Sequence, residues 1–470
     1  MKMLIAGQWV DGLKHIDVEN PYDQSVVDTV PRGTPEDVDR AIASAVEGAG
    51  IARQMPIHQR LEILYGTARI VRESQEEFAR TIASEGSKTI HEARKEAGRC
   101  VNTLTVAAEE ARRILGETLP FDSVPGGEQK IGYYYRMPVG VIGAITPFND
   151  PLNLVAHKLG PAIAGGNSLV LKPATVTPLS ALKLAHAFMD AGLPAHILNV
   201  VTGYASEIGE PLVTDPRVRM ITFTGGPEAG EQIVRQAGLK KIGMELGSNS
   251  PVIVCADAAL EWAVESCVAG AFWAAGQNCI GVQRILIEQP VYEAFRAQFV
   301  ARARKIKVGP QLEAATEMGP MITLKEAERV AAWISEAVSA GANLLAGGGQ
   351  EGTRVEPTVL EGVPPTTRLS CEEVFGPVVI LQPFETLEDA IVRANDVDYG
   401  LHAAVFTQDV SKAFRTAYAL DVGGVMINDS TDYRLDQMPF GGVKKSGLGR
   451  EGIKFSLQEM TEPKVVCLQL

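Results

Sequence analysis

The sequence predicts an α/β protein of at least two domains whose strands form parallel sheets. Three observations lead there. Short apolar runs alternate with longer helix-patterned stretches, first over the region that follows residue 139 and again from about Pro251 to Asn428; that alternation is the mark of βαβ units in a parallel sheet. The 470 residues exceed what one compact core accommodates. With 46% hydrophobic and 21% charged residues, enough apolar side chain is present to offset chain entropy, so a folded protein is expected.

The elements follow in order. The opening reads as short strands and turns. Thr34 precedes a helical pattern with acids in its first turn, so it is expected to cap that helix. Helical stretches are then expected from Ile57 to Ser84 and from Ile90 to Leu115. Between Gly116 and Pro138 the pattern changes: GETLPFD and KIGYYYRMP flank a turn-forming VPGGEQ, which predicts a β-hairpin. Two exposed, aromatic-rich strands are poorly stable alone, so a second subunit is expected to cover them. GVIGAIT, NSLVLKP, ILNVVTG and MITFTG read as buried strands, with helices PLNLVAHKLGPAIAGG and PLSALKLAHAFMDAG between them. The second block contributes SPVIVC, a small-residue helix from Trp262 to Gly276, and QRILIEQ; PKVVCLQL is a further short strand.

Several function classes are disfavoured. A net charge of -13 and a pI near 5.2 argue against nucleic acid or an anionic membrane as partner. No secretory leader and no apolar run of membrane-spanning length is read. The six cysteines (Cys100, Cys255, Cys267, Cys279, Cys371 and Cys467) contain no CxxC pair and suit neither a zinc site nor a disulfide framework. Reduced thiols in a cytoplasmic enzyme without a metal are expected.

A few residues stand out for their chemistry. Cys279, in AAGQNCIGVQR, follows a small-residue helix and two polar residues, a setting that suits an accessible thiol as well as an inert buried one. Glu245, in GMELGSNSP, can reach into a cleft as a base, though alone it fits a salt-bridged glutamate better. Asn149, in AITPFND, can offer its amide to an oxyanion or close its own turn. Lys172 ends a strand, where open α/β sheets bind ligands. Gly225, Gly226 and Gly230 lie between a strand and a helix, where backbone N–H groups approach phosphates, although the full GxGxxG spacing is missing.

Taken together, GVIGAITPFNDPL, LVLKPATVTP, FTGGPEAG, MELGSNSP, GQNCIGVQR, EEVFGPV and MPFGGVKKSGLGREG resemble the aldehyde dehydrogenase superfamily, in the family's order and across nearly the whole chain. The resemblance implies a Rossmann-like cofactor domain (residues 1–115 and 139–245), a catalytic α/β domain (246–428) and a β-hairpin oligomerisation arm (116–138 with 453–470), assembled as a homodimer or homotetramer. It implies NAD or NADP as cofactor. Cys279 is then the nucleophile that attacks a small aldehyde, Asn149 and the Cys279 N–H hold the oxyanion, and Glu245 activates the water that hydrolyses the thioester. Cofactor contacts are implied for Ile145, Thr146, Pro147 and Phe148, for Lys172, Ala174 and Thr175, for Gly225 and Gly226, for Leu246 and Gly247, and for Glu373 and Phe375.

Departures from the family pattern matter. Thr175 stands where NAD-preferring relatives often place a glutamate, which opens the site to NADP. Gly226 replaces a common serine, and Ser248–Asn249 a usual Gly-Lys. INDSTDYRLDQMPFGGVKKSG is similar to the lactaldehyde and phosphonoacetaldehyde dehydrogenases, and EAGRCVNTLTVAAEEA to the non-phosphorylating glyceraldehyde-3-phosphate dehydrogenases. Arg99, His157 and Arg434 are therefore expected either to form a cationic pocket for a short anionic or hydroxylated aldehyde or to be structural ion-pair residues. Asn278, where phosphate-binding relatives carry arginine, counts against a phosphate. Two rival readings are a CoA-acylating enzyme, which Glu245 argues against, and a non-enzymatic, crystallin-like protein on the same fold.

Overall fold

A computed structural model describes residues 1–470. Two parallel sheets dominate it. In the first, strands Leu198–Val200, Ser168–Lys172, Val141–Ile145, Met220–Thr224 and Lys241–Glu245 lie side by side in that order, all parallel. Antiparallel strands close both edges: Met3–Ile5 and Gln8–Val10 on one side, Gly447–Leu448 on the other. In the second, the order is Asn343–Ala346, Thr358–Glu361, Val378–Phe384, Val282–Glu288, Ser250–Val254, His402–Phe406 and Gly424–Ile427, parallel except at Asn343–Ala346. Ile142, Ala144, Leu169 and Leu171 face one core of the first sheet, while Val141, Val170 and Ile221 face another. Side chains of one strand thus enter opposite cores, as a sheet with helices on both faces requires.

Most expected elements form. Thr34 caps helix Pro35–Gln54 and exchanges hydrogen bonds with Asp37. The stretch expected as one helix from Ile57 to Ser84 is two, Ile57–Glu73 and Gln75–Glu85, because Ser74 leaves helical dihedrals and bends the chain. The next helix, Ile90–Ala111, ends four residues short of Leu115. The helix expected from Trp262 to Gly276 runs only from Leu260 to Phe272; beyond it Ala274, Ala275 and Gly276 all have positive φ.

Strand Glu117–Leu119 pairs with Lys130–Pro138, which pairs in turn with Thr461–Gln469. The hairpin and the late strand therefore form one three-stranded sheet. Ile131, Tyr135, Val465 and Leu468 on it are more than half exposed. Residues 429–452, left between the expected segments, run back to the first sheet and supply its Gly447–Leu448 edge.

Candidate active site

The register of the first sheet places the chemistry. Lys172 lies level with Ile145, Ile145 with Phe223, and Thr224 with Glu245. Lys172, Ile145, Thr224 and Glu245 end their strands, so the carboxyl edge carries an ammonium at one end and a carboxyl group at the other, where open α/β sheets bind ligands.

Cys279 reaches this edge from the second sheet's side. After Phe272 three successive left-handed residues turn the chain sharply, a conformation costly for alanine. Surrounding groups fix it. Glu92 accepts from the Ala274 N–H at 2.9 Å, the Gln277 amide donates to the Ala274 carbonyl at 2.9 Å, and a Cβ at Gly276 would collide with the Gly376 carbonyl. Cys279 emerges half-buried, and its backbone N–H donates to no backbone carbonyl. Burial pushes its thiol up to about 12, against the pull of Arg434, so it rests protonated.

Glu245 is 4% exposed, and its Oε2 has no hydrogen-bond partner. Burial, then repulsion from Glu451, pushes its carboxyl well above the usual range, while Lys158, Arg434 and Arg450 pull the other way. Glu451 is held low instead: although burial opposes it, Lys158 and Arg434 surround it, with Arg434 Nη2 at 3.1 Å. Cys279, Glu245 and Asn149 line one cavity of about 650 Å³ together with Arg99 and Arg434.

The residues expected to contact a cofactor lie along and beside this row. Lys172 is buried, bonds only the Pro173 carbonyl at 3.1 Å, and is lowered to about 8 by burial. Thr146 is buried beside it, its N–H on the Lys172 carbonyl at 3.2 Å, with Pro147 and Phe148 half-buried. Thr175 donates to the Gly203 carbonyl at 2.9 Å, so this position carries no charge; Ala174 beside it is half-buried. Gly225 lies against the Phe223 ring, and Leu246 fills the space left by Gly230. Gly226 starts helix Pro227–Ala237 with no side-chain cap and open space around it, leaving that N-terminus free. Glu373 accepts from the Ser248 N–H at 2.8 Å, is pushed up to about 8 by burial, and needs glycine at 247, where a Cβ would strike its carboxylate. Phe375 meets Phe148 edge to face at 5.8 Å. The unusual Asn249 has a structural account: its amide holds the Ser370 and Glu372 carbonyls at 3.1 and 2.9 Å while its oxygen accepts from Arg284 at 2.6 Å.

The expected cationic pocket is largely neutralised. Arg99 meets Asp436 at 3.2 Å and Asp150 at 3.6 Å, and Arg434 meets Glu451. His157 does not line the cavity; it is wholly buried behind it, with Nε2 3.2 Å from Asp436, and burial lowers its pKa. Sequence reasoning missed Lys158, Glu451, Asp436 and the buried Lys88–Glu96 pair at 2.7 Å. A signal existed for the first: Lys158 stands in a helix whose every residue is buried, and a buried ammonium requires a counter-charge.

A doubly wound sheet with an unpaired lysine at one end of its carboxyl edge, and a carboxyl at the other end that shares a cavity with a thiol, is the arrangement of an oxidoreductase that works with a dinucleotide. A model of the aldehyde dehydrogenase family matches residues 9–466, and the chain belongs to that family. Aspartate-semialdehyde dehydrogenase 1 of Pseudomonas canavaninivorans is 52% identical, covering 97% of each chain. The 3-sulfolactaldehyde dehydrogenase of Priestia aryabhattai is 44% identical over 100% of this chain and 98% of its own. Among solved structures, glyceraldehyde-3-phosphate dehydrogenase GapN from Methanocaldococcus jannaschii, complexed with NADP, is similar with a TM-score of 0.94 at 38% identity, covering 97% of this chain and 100% of that one. The protein is thus an NAD(P)-dependent aldehyde dehydrogenase with the fold of that family.

Proposed function

We propose that the protein oxidises a short polar or anionic aldehyde to its carboxylic acid through a thioester on Cys279. The observation that carries this reading is the convergence of Cys279, Glu245 and Asn149 on one cavity at the sheet's carboxyl edge. The cofactor residues fit a dinucleotide: Lys172 is a buried ammonium without a carboxylate, and Gly226 leaves a helix N-terminus open. When bound, the nicotinamide supplies the hydride acceptor. With no acid at position 175, a 2′-phosphate meets no repulsion, which supports NADP alongside NAD.

The residues act in turn. The Cys279 thiol gives up its proton, with Glu245 as acceptor, and the thiolate adds to the aldehyde carbon. The resulting alkoxide accepts from the Cys279 N–H and the Asn149 amide. Loss of hydride from the former aldehyde carbon leaves a thioester. After passing the thiol proton to solvent, Glu245 takes one from water as the water attacks the thioester, and returns it to the sulfur as the acid leaves and the thiol is restored. Burial and the neighbouring Glu451 raise the Glu245 carboxyl above its ordinary value, which makes it the stronger base for both proton transfers. A CoA-acylating role is disfavoured by the presence of this base.

The relatives' names support an anionic substrate, since semialdehyde and sulfolactaldehyde enzymes appear among them. Six unpaired cysteines support a reducing, cytoplasmic setting. The exposed apolar strands of the three-stranded sheet support a homodimer or homotetramer. The test is NAD(P)H formation on lactaldehyde, glycolaldehyde, succinic semialdehyde, phosphonoacetaldehyde, sulfoacetaldehyde and glyceraldehyde 3-phosphate, with each cofactor. Cys279→Ala is expected to abolish turnover while keeping cofactor binding; retained turnover overturns the reading, as does CoA-dependent turnover without free acid.

A further inference from the structure

The cavity above Cys279 carries an unexpected charge balance for an anionic substrate: seven carboxylates line it against four cations. Pairing removes most of them. Lys88 holds Glu96 and Asp150, Arg434 holds Glu451, and Glu265 is bound by Arg302 at 2.6 Å. Setting aside the base Glu245, two carboxylates remain without an ion-pair partner, Asp429 and Asp432, both on the loop that follows strand Gly424–Ile427.

That loop is built to present them. The Thr431 hydroxyl donates to the Ile280 carbonyl at 2.6 Å, pinning the loop to the residue beside the nucleophile. Asp429 accepts from the Ser266 hydroxyl at 3.1 Å and the Ser430 N–H at 2.8 Å; Asp432 accepts from the Ser430 hydroxyl. Only glycine at 270 leaves room, since a Cβ there would strike Ser430 and approach Asp432 at 2.9 Å. Trp262 and Tyr433, both about half exposed, line the same cavity and add aromatic faces that favour a cation. Two further groups mark the cavity as a ligand site: Glu245 and Arg434 both line it, their side chains are more than nine-tenths buried, and each keeps one atom, Oε2 and Nε, without a hydrogen-bond partner. Cationic groups are also present. Arg99 is about one-third exposed, and Lys95 lies 4.9 Å over the Trp273 ring without a carboxylate partner.

We propose that the substrate is amphoteric: a short semialdehyde that carries an ammonium read by Asp429 and Asp432 and a carboxylate read by Arg99 and Lys95. An α-amino acid semialdehyde meets both requirements, with its aldehyde carbon at Cys279. This rests on the aldehyde oxidation proposed above and narrows its substrate.

The test compares two molecules that differ in one group, succinic semialdehyde and L-aspartate 4-semialdehyde, by kcat/KM in the wild-type enzyme and in Asp432→Asn and Asp429→Asn. A charge-assisted hydrogen bond contributes about 1.5–3 kcal/mol, so the amino compound is expected to be favoured by about 10- to 100-fold. In both variants that ratio is expected to fall toward one. The ratio is internal to each preparation, so partial loss of folded enzyme does not distort it. A wild-type ratio near or below one overturns the proposal, and so does a high ratio that both variants keep. Lactaldehyde serves as the control: its Cys279-dependent oxidation without any amino preference defeats this inference alone, whereas no oxidation of any of the three defeats the underlying reading.

Discussion

Two sets of buried charges sit within one molecule and are treated in opposite ways. In and behind the cavity wall, Lys158 and Arg434 share Glu451, and Lys88 holds Glu96 and Asp150, so each charge has an opposite partner. Along the carboxyl edge of the first sheet, Lys172, Glu245 and Glu373 have no counter-ion, and burial drives each toward its neutral form: Lys172 down to about 8, Glu373 up to about 8, Glu245 well above the usual range. The difference separates support from chemistry. A matched charge holds the fold, whereas an unmatched one is kept ready for a ligand or a proton at a cost in stability.

The contrast predicts which substitutions harm activity and which harm folding. Glu245→Gln is expected to lower steady-state turnover about 10²- to 10⁴-fold, the usual worth of a general base. A first burst of NAD(P)H is expected to outlast that loss if hydrolysis is the step most affected, and the melting temperature should hold or rise, because an unmatched carboxyl has gone. A large drop in melting temperature breaks the contrast. Lys158→Met should do the reverse. It leaves Glu451 with one partner fewer, and breaking a buried pair costs about 3–5 kcal/mol, readable by denaturant unfolding. It should also change acid stability. Glu451 is held below its ordinary value in the folded state, so its contribution is present above the unfolded value of 4.5 and fades as pH falls below it. The variant should show a smaller loss of stability over that acid range than the parent.

Thr175→Glu sharpens the comparison from the other side, by placing a carboxylate near the unmatched Lys172. KM for NADP is expected to rise about tenfold or more through like-charge repulsion, with NAD affected less; equal effects would show that position 175 does not face the 2′-phosphate. The smallest effect is expected from Arg99→Ala, since Arg99 is already engaged by two carboxylates and partly exposed. KM for an anionic aldehyde should rise by about threefold to tenfold, within what a screened charge contributes. A neutral hydroxyaldehyde should be little affected, and an equal change for both would assign Arg99 to structure alone.

Much of this was legible in the sequence because it is local. Strands such as NSLVLKP declare themselves by a few adjacent side chains, and Thr34 marks its helix by a cap and Asp37 three residues on. Cys279, Glu245 and Lys172 were readable as ordered motifs. What was not legible depends on contacts between distant segments. Glu451 meets Lys158 across 293 residues, and Arg99 meets Asp436 across 337. No local pattern says that an apparent cationic pocket has its own carboxylates. Nor do Ala274 and Ala275 look like left-handed residues; alanine favours helix, and only Glu92, Gln277 and the packing at Gly276 override that preference.

The return of residues 436–451 to the first sheet also bears on the order in which the molecule is made. Asp436 braces Arg99, Gly447–Leu448 pairs with the Glu245 strand, and Glu451 neutralises Lys158, all partners translated hundreds of residues earlier. A chain emerging from the ribosome can assemble the sheet that carries Lys172 and Glu245 long before these residues exist, but with an open edge and a stranded buried ammonium. The site is therefore completed late in synthesis, and a chain interrupted before residue 451 lacks the edge strand and the counter-charges that finish it.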